Sequence, residues 1–161
     1  MNALSHQDLR FLQLAISLSS QAREAGKHPF AAIVVDAAGT VLAQAINDSL
    51  PPQGDPTRHA ERLAAARASR VATPAELAGA TLYSSAEPCA MCAGAIYWCG
   101  IGRVVYALSE ARLLTLTGNH PENPTLALPC REVFARGQRA VAVGGPALED
   151  DAAAVHLGFW G

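Results

Sequence analysis

Apolar positions recur at helical spacing near the start of the chain. Leu9, Leu12, Ile16 and Leu18 or Ser19 mark one face of a helix predicted over residues 5–25, with Ser5 or Asp8 placed to cap it and Gly26 to end it. The pattern then changes. Ala31-Ala32-Ile33-Val34-Val35 is a continuous apolar run, suited to a strand covered on both faces. Asp36-Ala37-Ala38-Gly39 predicts a turn, and Thr40 to Ile46 the return strand of a hairpin. Asn47 to Thr57 carries Pro-Pro, Gly and Asp-Pro and predicts a loop. A second helix is expected from about Thr57 to Ser69. Asp55 is its expected N-cap, Pro56 takes the first helical position, and Ala60, Leu63 and Ala64 form a small-residue apolar face.

Thr73-Pro74 opens a short helical turn. Thr81 to Ser85 reads as a strand. A helix with Pro88 in its first turn then runs to about Cys99 and stops at Gly100, and Arg103 to Leu108 is the next strand. Residues 109–130 are the least regular stretch, and a loop of that length in a compact domain is often functional. Ala140 to Val143 predicts a short strand and Leu148 to Trp160 a terminal helix. A hairpin followed by alternating helices and strands implies crossover connections with helices on both sheet faces. The expected fold is α/β, a three-layer α/β/α sandwich with a mixed central sheet, and residues 1–161 form a single domain.

Composition narrows the function. Apolar residues make up 50% and charged residues 16%, as in a globular chain with a full core. No apolar run reaches membrane-spanning length and no signal peptide is visible, so no membrane association and a cytoplasmic location are expected. Cys99 and Cys130 read as buried free thiols, which fits a reducing compartment. The net charge of −2 and the lack of a basic stripe make nucleic acid an unlikely partner and favour a small-molecule substrate.

Two short stretches carry the chemistry: His59-Ala60-Glu61 and Glu87-Pro88-Cys89-Ala90-Met91-Cys92. They offer one imidazole and two thiolates, with a carboxylate beside them. Catalytic zinc takes three such ligands and keeps a fourth position for water. Cys89 and Cys92 share a helix face, and the helix's positive end favours thiolates. Glu61 can lean over the fourth position. A structural zinc knuckle or a thioredoxin-like pair is the alternative, but a knuckle needs another ligand, and Cys99 is badly placed to supply it.

The joint pattern, H-x-E with P-C-x-x-C about 30 residues on, resembles the zinc-dependent cytidine deaminase superfamily. The resemblance implies one zinc per chain on His59, Cys89 and Cys92, with Glu61 shuttling protons between water, ring nitrogen and leaving amine. Backbone N–H groups near Ala60 and Cys89, at two helix starts, would orient the oxygen. Glu87 before Pro-Cys is similar to the branch holding guanine deaminases and tRNA adenosine deaminases. In that branch Asn47 matches a base-binding asparagine and Phe30 an aromatic lining the base pocket. Gly94-Ala95-Ile96-Tyr97-Trp98 and the tail from His156 to Trp160 resemble guanine deaminase more closely. This implies Asn47, Phe30, Ala60, Glu87 and Trp160 as substrate-binding positions, and a homodimer in which Ala93 to Trp98 is self-complementary and the tail closes a pocket. The sequence departs from guanine deaminases at Ala31, where glycine is usual. It also departs near 118–120, where Asn119 and His120 replace an acidic pair and Glu122 is the nearby carboxylate. The expected activity is hydrolytic deamination of a free nucleobase or related amino-heterocycle, guanine being the best single choice. The alternatives are a tRNA adenosine deaminase and, from another class, a catalytically silent zinc-containing binding module.

Overall fold

In the computed structural model, which describes residues 3–161, the hairpin comprises β1 (Ala31–Val35) and β2 (Val41–Ile46). β3 (Thr81–Ala86), β4 (Arg103–Leu108) and β5 (Ala142–Gly144) complete a five-stranded sheet of order β2-β1-β3-β4-β5. β1 runs antiparallel to both β2 and β3, while β3, β4 and β5 are mutually parallel, so the sheet is mixed as expected. Each parallel step needs a crossover. Helix α4 (Ala90–Cys99) supplies the one from β3 to β4. α1 (His6–Glu24) precedes the hairpin, and α2 (Ala60–Ser69) with the short α3 (Pro74–Ala78) joins it to β3. α5 (Glu110–Thr117) and α6 (Cys130–Ala135) lie between β4 and β5, and α7 (Glu149–His156) follows.

Alternation along the strands divides the core into two layers. Ala32, Val34, Leu82, Val104 and Tyr106 pack against Leu63 and Ala64 of α2, Ile96 of α4 and Phe134 of α6. Ile33, Val35, Tyr83, Val105 and Ala107 face the other way, onto Leu12 and Ile16 of α1, Leu113 of α5 and Ala152 of α7. The small side chains of α2 let its backbone approach the sheet. A buried polar tie also joins α1 to the sheet. Asp8 accepts from Tyr83 Oη at 2.7 Å and from both Arg103 terminal nitrogens, at 2.7 and 3.0 Å. The same carboxylate accepts from Ser5 N–H while Ser5 Oγ caps Asp8 N–H, so both candidate caps of α1 act together.

Four expectations are corrected. The stretch 109–130 is not all irregular. Ser109 Oγ caps α5, Leu113 and Thr117 are buried four residues apart, and Cys130 and Phe134 repeat that spacing in α6. α2 begins at Ala60, not Thr57. Asp55 accepts from Thr57 N–H at 2.8 Å in a local turn instead of capping the helix, and His59 becomes the N-cap. α4 begins at Ala90 with Cys89 as N-cap, which leaves Pro88 outside. The terminal helix stops at His156. Gly158, at φ 71°, then turns Phe159 and Trp160 back onto His28 and Phe30. Among the described residues no helix is long and apolar enough to cross a membrane.

Candidate active site

The starts of α2 and α4 meet at one point. His59 and Cys89 are the N-caps of these two facing helices, and Cys92 lies one turn into α4. β3 delivers Cys89: its last residue, Ala86, leads through Glu87-Pro88 into the cap, at the carboxyl end of a strand where open α/β sheets place ligand sites. The ligand atoms of His59, Cys89 and Cys92 lie within 4.8 Å of one another. His59 Nδ1 is 3.6 Å from Cys89 Sγ. Two ligands on a tetrahedral zinc at its usual bond lengths stand roughly 3.5 Å apart, so this imidazole–thiolate pair is spaced for that metal. The protein groups themselves favour a thiolate here. A hydrogen bond from Cys92, aided by His59, pulls the Cys89 thiol down to about 4, and Cys89 in turn raises His59. Cys92 is raised, first because its proton is held on Cys89 and then by burial.

Glu61, at the second position of α2, turns into the same point. It is 5% exposed, accepts from Ser84 Oγ at 3.3 Å, and has its other oxygen 3.7 Å from Cys92 Sγ. Burial pushes its carboxyl up to about 7. Such a group can both take and return a proton near neutral pH.

A cavity of about 500 Å³ opens over this cluster. Phe30, Asn47, His59, Glu61, Glu87 and Cys89 all line it. Asn47 is buried, and its Oδ1 accepts from both Ser49 N–H at 2.9 Å and Ser49 Oγ at 2.8 Å. Because that backbone N–H requires an oxygen, the amide is oriented with Nδ2 left as a free donor. The loop carrying Asn47 is packed tightly, since a Cβ on Gly54 would lie 1.8 Å from Asp48 O. Glu87 is tied down. Its carboxylate accepts from Glu110 N–H at 3.1 Å and Cys130 N–H at 3.0 Å, pinning the starts of α5 and α6.

Two positions fall elsewhere. Ala60 is fully buried beneath the cluster and does not line the cavity. Trp160 stands behind the cavity wall: its Nε1 donates to His156 Nδ1 at 3.0 Å, and its ring packs on His28 and Phe30. The tail therefore docks on its own subunit. Sequence reasoning assigned no role in the site to several lining residues, among them His28, Glu110 and Leu126. Burial, followed by the neighbouring Cys89, Glu61 and Glu87 charges, pushes the Glu110 carboxyl up to about 8. Its only signal was its place just after the strand that follows the cysteine helix.

Residues 5–108 match the family described as the cytidine and deoxycytidylate deaminase zinc-binding region. A probable cytosine deaminase of Schizosaccharomyces pombe is 43% identical over 98% of this chain and 94% of its own. The guanine deaminase of Bacillus subtilis is 40% identical over 60% of this chain and 62% of its own. Among solved structures, the guanine deaminase of Nitrosomonas europaea superposes with a TM-score of 0.73 at 25% identity, over 97% of this chain and 85% of that one. The chain belongs to this zinc-binding deaminase family, and hydrolytic deamination is its chemistry.

Proposed function

We propose, with that membership as the premise, that the protein deaminates an uncharged amino-heterocycle of the nucleobase class, releasing ammonia, and that guanine is its first candidate substrate. One observation carries this reading: the cavity over the cluster is lined by Glu61, Glu87, Glu110 and Glu122 but by no lysine or arginine. A nucleotide phosphate or a tRNA backbone would find no cation there.

His59, Cys89 and Cys92 would hold the zinc. Zinc, when bound, supplies the Lewis acidity that makes water nucleophilic near neutral pH. Glu61 takes the proton released by that water and returns protons to the ring nitrogen and the departing amine. Its carboxyl, buried between Ser84 and Cys92, is placed for both directions. Asn47 Nδ2 offers a donor to a ring carbonyl, and Phe30 lends an apolar face to the ring. With the Glu110 carboxyl as acceptor, this set matches a lactam, the adjacent N–H and C=O of guanine. Adenine lacks that carbonyl. The cavity volume also accommodates a fused bicyclic ring. Cytosine is the second reading, favoured by the relative that matches nearly the whole chain, and it carries a lactam too.

Ammonia release should be measured across guanine, cytosine, adenine, their nucleosides and their 5′-phosphates. Guanine or cytosine should lead, with the phosphates at least tenfold poorer. Preference for a nucleotide, or editing of a tRNA anticodon, would overturn the reading. A homodimer is proposed with it, supported by Trp98 standing 84% exposed on α4, while Ala93 and Ile96 of the same stretch are buried. A monomer mass by light scattering removes that part.

A further inference from the structure

Residues 119–128 connect α5 to α6 without helix or strand, and most of their side chains are exposed. Pro121, Glu122, Asn123, Pro124, Thr125 and Leu126 nevertheless form one wall of the cavity. The segment is lightly attached. Its Asn123 and Leu128 N–H groups bond within the segment, Glu122 N–H bonds His120 Nδ1, and His120 N–H returns to Thr117. None of its residues is buried; its side chains make one hydrogen bond to the rest of the described protein, from His28 Nε2 to Glu122 Oε2 at 2.8 Å, and His120 sets its ring edge against Trp160. Few buried contacts and one polar tie are the properties of a segment that opens locally.

His28 is the opposite kind of residue. Its side chain is 4% exposed against 51% for Glu122. Phe159 and Trp160 pack edge-on against its ring. A carboxylate only accepts, so Nε2 carries the proton towards Glu122. Nδ1 lies 3.4 Å from Ser49 Oγ, whose single proton is donated to Asn47 Oδ1, so the ring is packed against the residue whose hydroxyl and N–H orient Asn47. One imidazole thus touches the cavity wall, the docked tail and the residue that aims the ring-binding amide.

We propose that residues 119–128 form a lid over the cavity, and that His28 is the positioning residue that latches it through Glu122 and couples its closed state to Asn47 through Ser49. Substrate enters when the His28–Glu122 bond opens. When it reforms, the lid excludes water and the imidazole is set against Ser49. His28 touches no reacting atom in this scheme. The coupling to Asn47 rests on the deaminase reading of the same cavity; the latch does not.

The test uses the full zinc-loaded chain without substrate, reading amide hydrogen exchange across 119–128. Glu122→Ala removes the tie at an exposed position and leaves the core intact. It should speed exchange there by roughly tenfold or more, the scale of one hydrogen bond to a charged group, and leave α2 and α4 unchanged. His28→Gln presents an amide nitrogen near the place of Nε2 and should keep the lid protected; His28→Asn should not. Unchanged exchange in Glu122→Ala overturns the latch, whatever the substrate proves to be. With the best substrate of the panel, Glu122→Ala and His28→Asn should raise KM by roughly tenfold with a smaller change in kcat, and His28→Gln should recover part of that loss. Faster exchange with unmoved KM and kcat overturns the positioning role while leaving the deaminase reading intact.

Discussion

Replacing Glu61 by glutamine separates what this carboxyl does in catalysis from what it costs the fold. The side chain is 5% exposed, and burial lifts it from 4.5 to about 7, with His59 opposing and Cys89 adding. Below about pH 4.5 the group is protonated in the folded and unfolded chains alike and does not affect stability. As pH rises through about 7 it ionises in both, and the folded state then carries the desolvation penalty. A displacement of that size corresponds to about 3 kcal/mol. Glutamine has nearly the same shape and no charge. Metal-free Glu61→Gln should therefore exceed the metal-free parent by about 3 kcal/mol in urea unfolding near pH 8, and match it near pH 4. Zinc-loaded, the same variant should keep its metal and lose roughly 10²–10⁴-fold in ammonia release. Equal stability of the two metal-free proteins near pH 8 would refute the desolvated carboxyl. Turnover close to the parent's would remove Glu61 from the proton transfers.

His59→Ala, Cys89→Ala and Cys92→Ala should each reduce zinc content from about one per chain, as read by atomic emission; full retention in Cys89→Ala breaks the ligand set. Asp8→Ala strands the Arg103 guanidinium and the Tyr83 hydroxyl, and should cost about 2–4 kcal/mol in urea unfolding, below a fully buried pair because Arg103 is one-third exposed. A loss under about 1 kcal/mol would mean that water replaces the carboxylate. Arg103 holds Asp8 well below the usual carboxylate range, so this stabilisation is complete above the unfolded value of 3.8 and fades as pH falls further. Burial pushes His156 from 6.5 down to about 4, so the docked tail is fully stable above about pH 6.5 and weakens as pH falls towards 4. In a Trp98→Phe background, Trp160 is the remaining tryptophan and its emission should shift to the red as pH falls through about 4; flat emission well below that pH in a folded protein contradicts the His156–Trp160 bond.

The parts legible in the sequence are those where one physical demand dominates a stretch. An apolar run covered on both faces had to be a central strand, and β1 is one. H-x-E and P-C-x-x-C marked a cluster because few other uses require an imidazole and two thiols at that spacing. Helix starts were less legible. Asp55-Pro56 and Pro88 carry good start signals, yet both helices begin later, with His59 and Cys89 as N-caps. Neither makes a side-chain cap bond, so tertiary geometry, not local capping energy, sets those boundaries. The lining of the cavity was least legible. His28, Glu110 and Glu122 meet across long loops, and no local period reports a pair 94 residues apart such as His28 and Glu122. Trp160 is the opposite case. A terminal aromatic invites a role as a lid, and within this chain His156 and Phe30 hold it behind the wall.

Charge accounting supports the proposed exclusion of a nucleotide in a family named for both a nucleoside and a nucleotide. Zinc brings two positive charges, and the thiolates of Cys89 and Cys92 cancel them. The Glu87 carboxylate is held by two backbone N–H groups, and burial pushes the Glu110 carboxyl up and favours its neutral form. Glu122 remains, bonded to His28, together with Glu61 at the reaction centre. The cavity is therefore neutral to negative wherever a substrate would sit. Four cations stand next to lining residues in the chain: Lys27 and Arg58, both engaged by Asp48, Arg62, which donates to Thr57, and Arg112, which pairs with Asp150. A phosphate would have to surrender its hydration to a field of its own sign, with no guanidinium or ammonium free to replace it. An uncharged lactam would lose less water and would meet the Asn47 donor and the Glu110 carboxyl. The proposed selection against the phosphate thus needs no dedicated clash. It follows from where this chain places its arginines and lysines, all outside the cavity lining and several of them already paired.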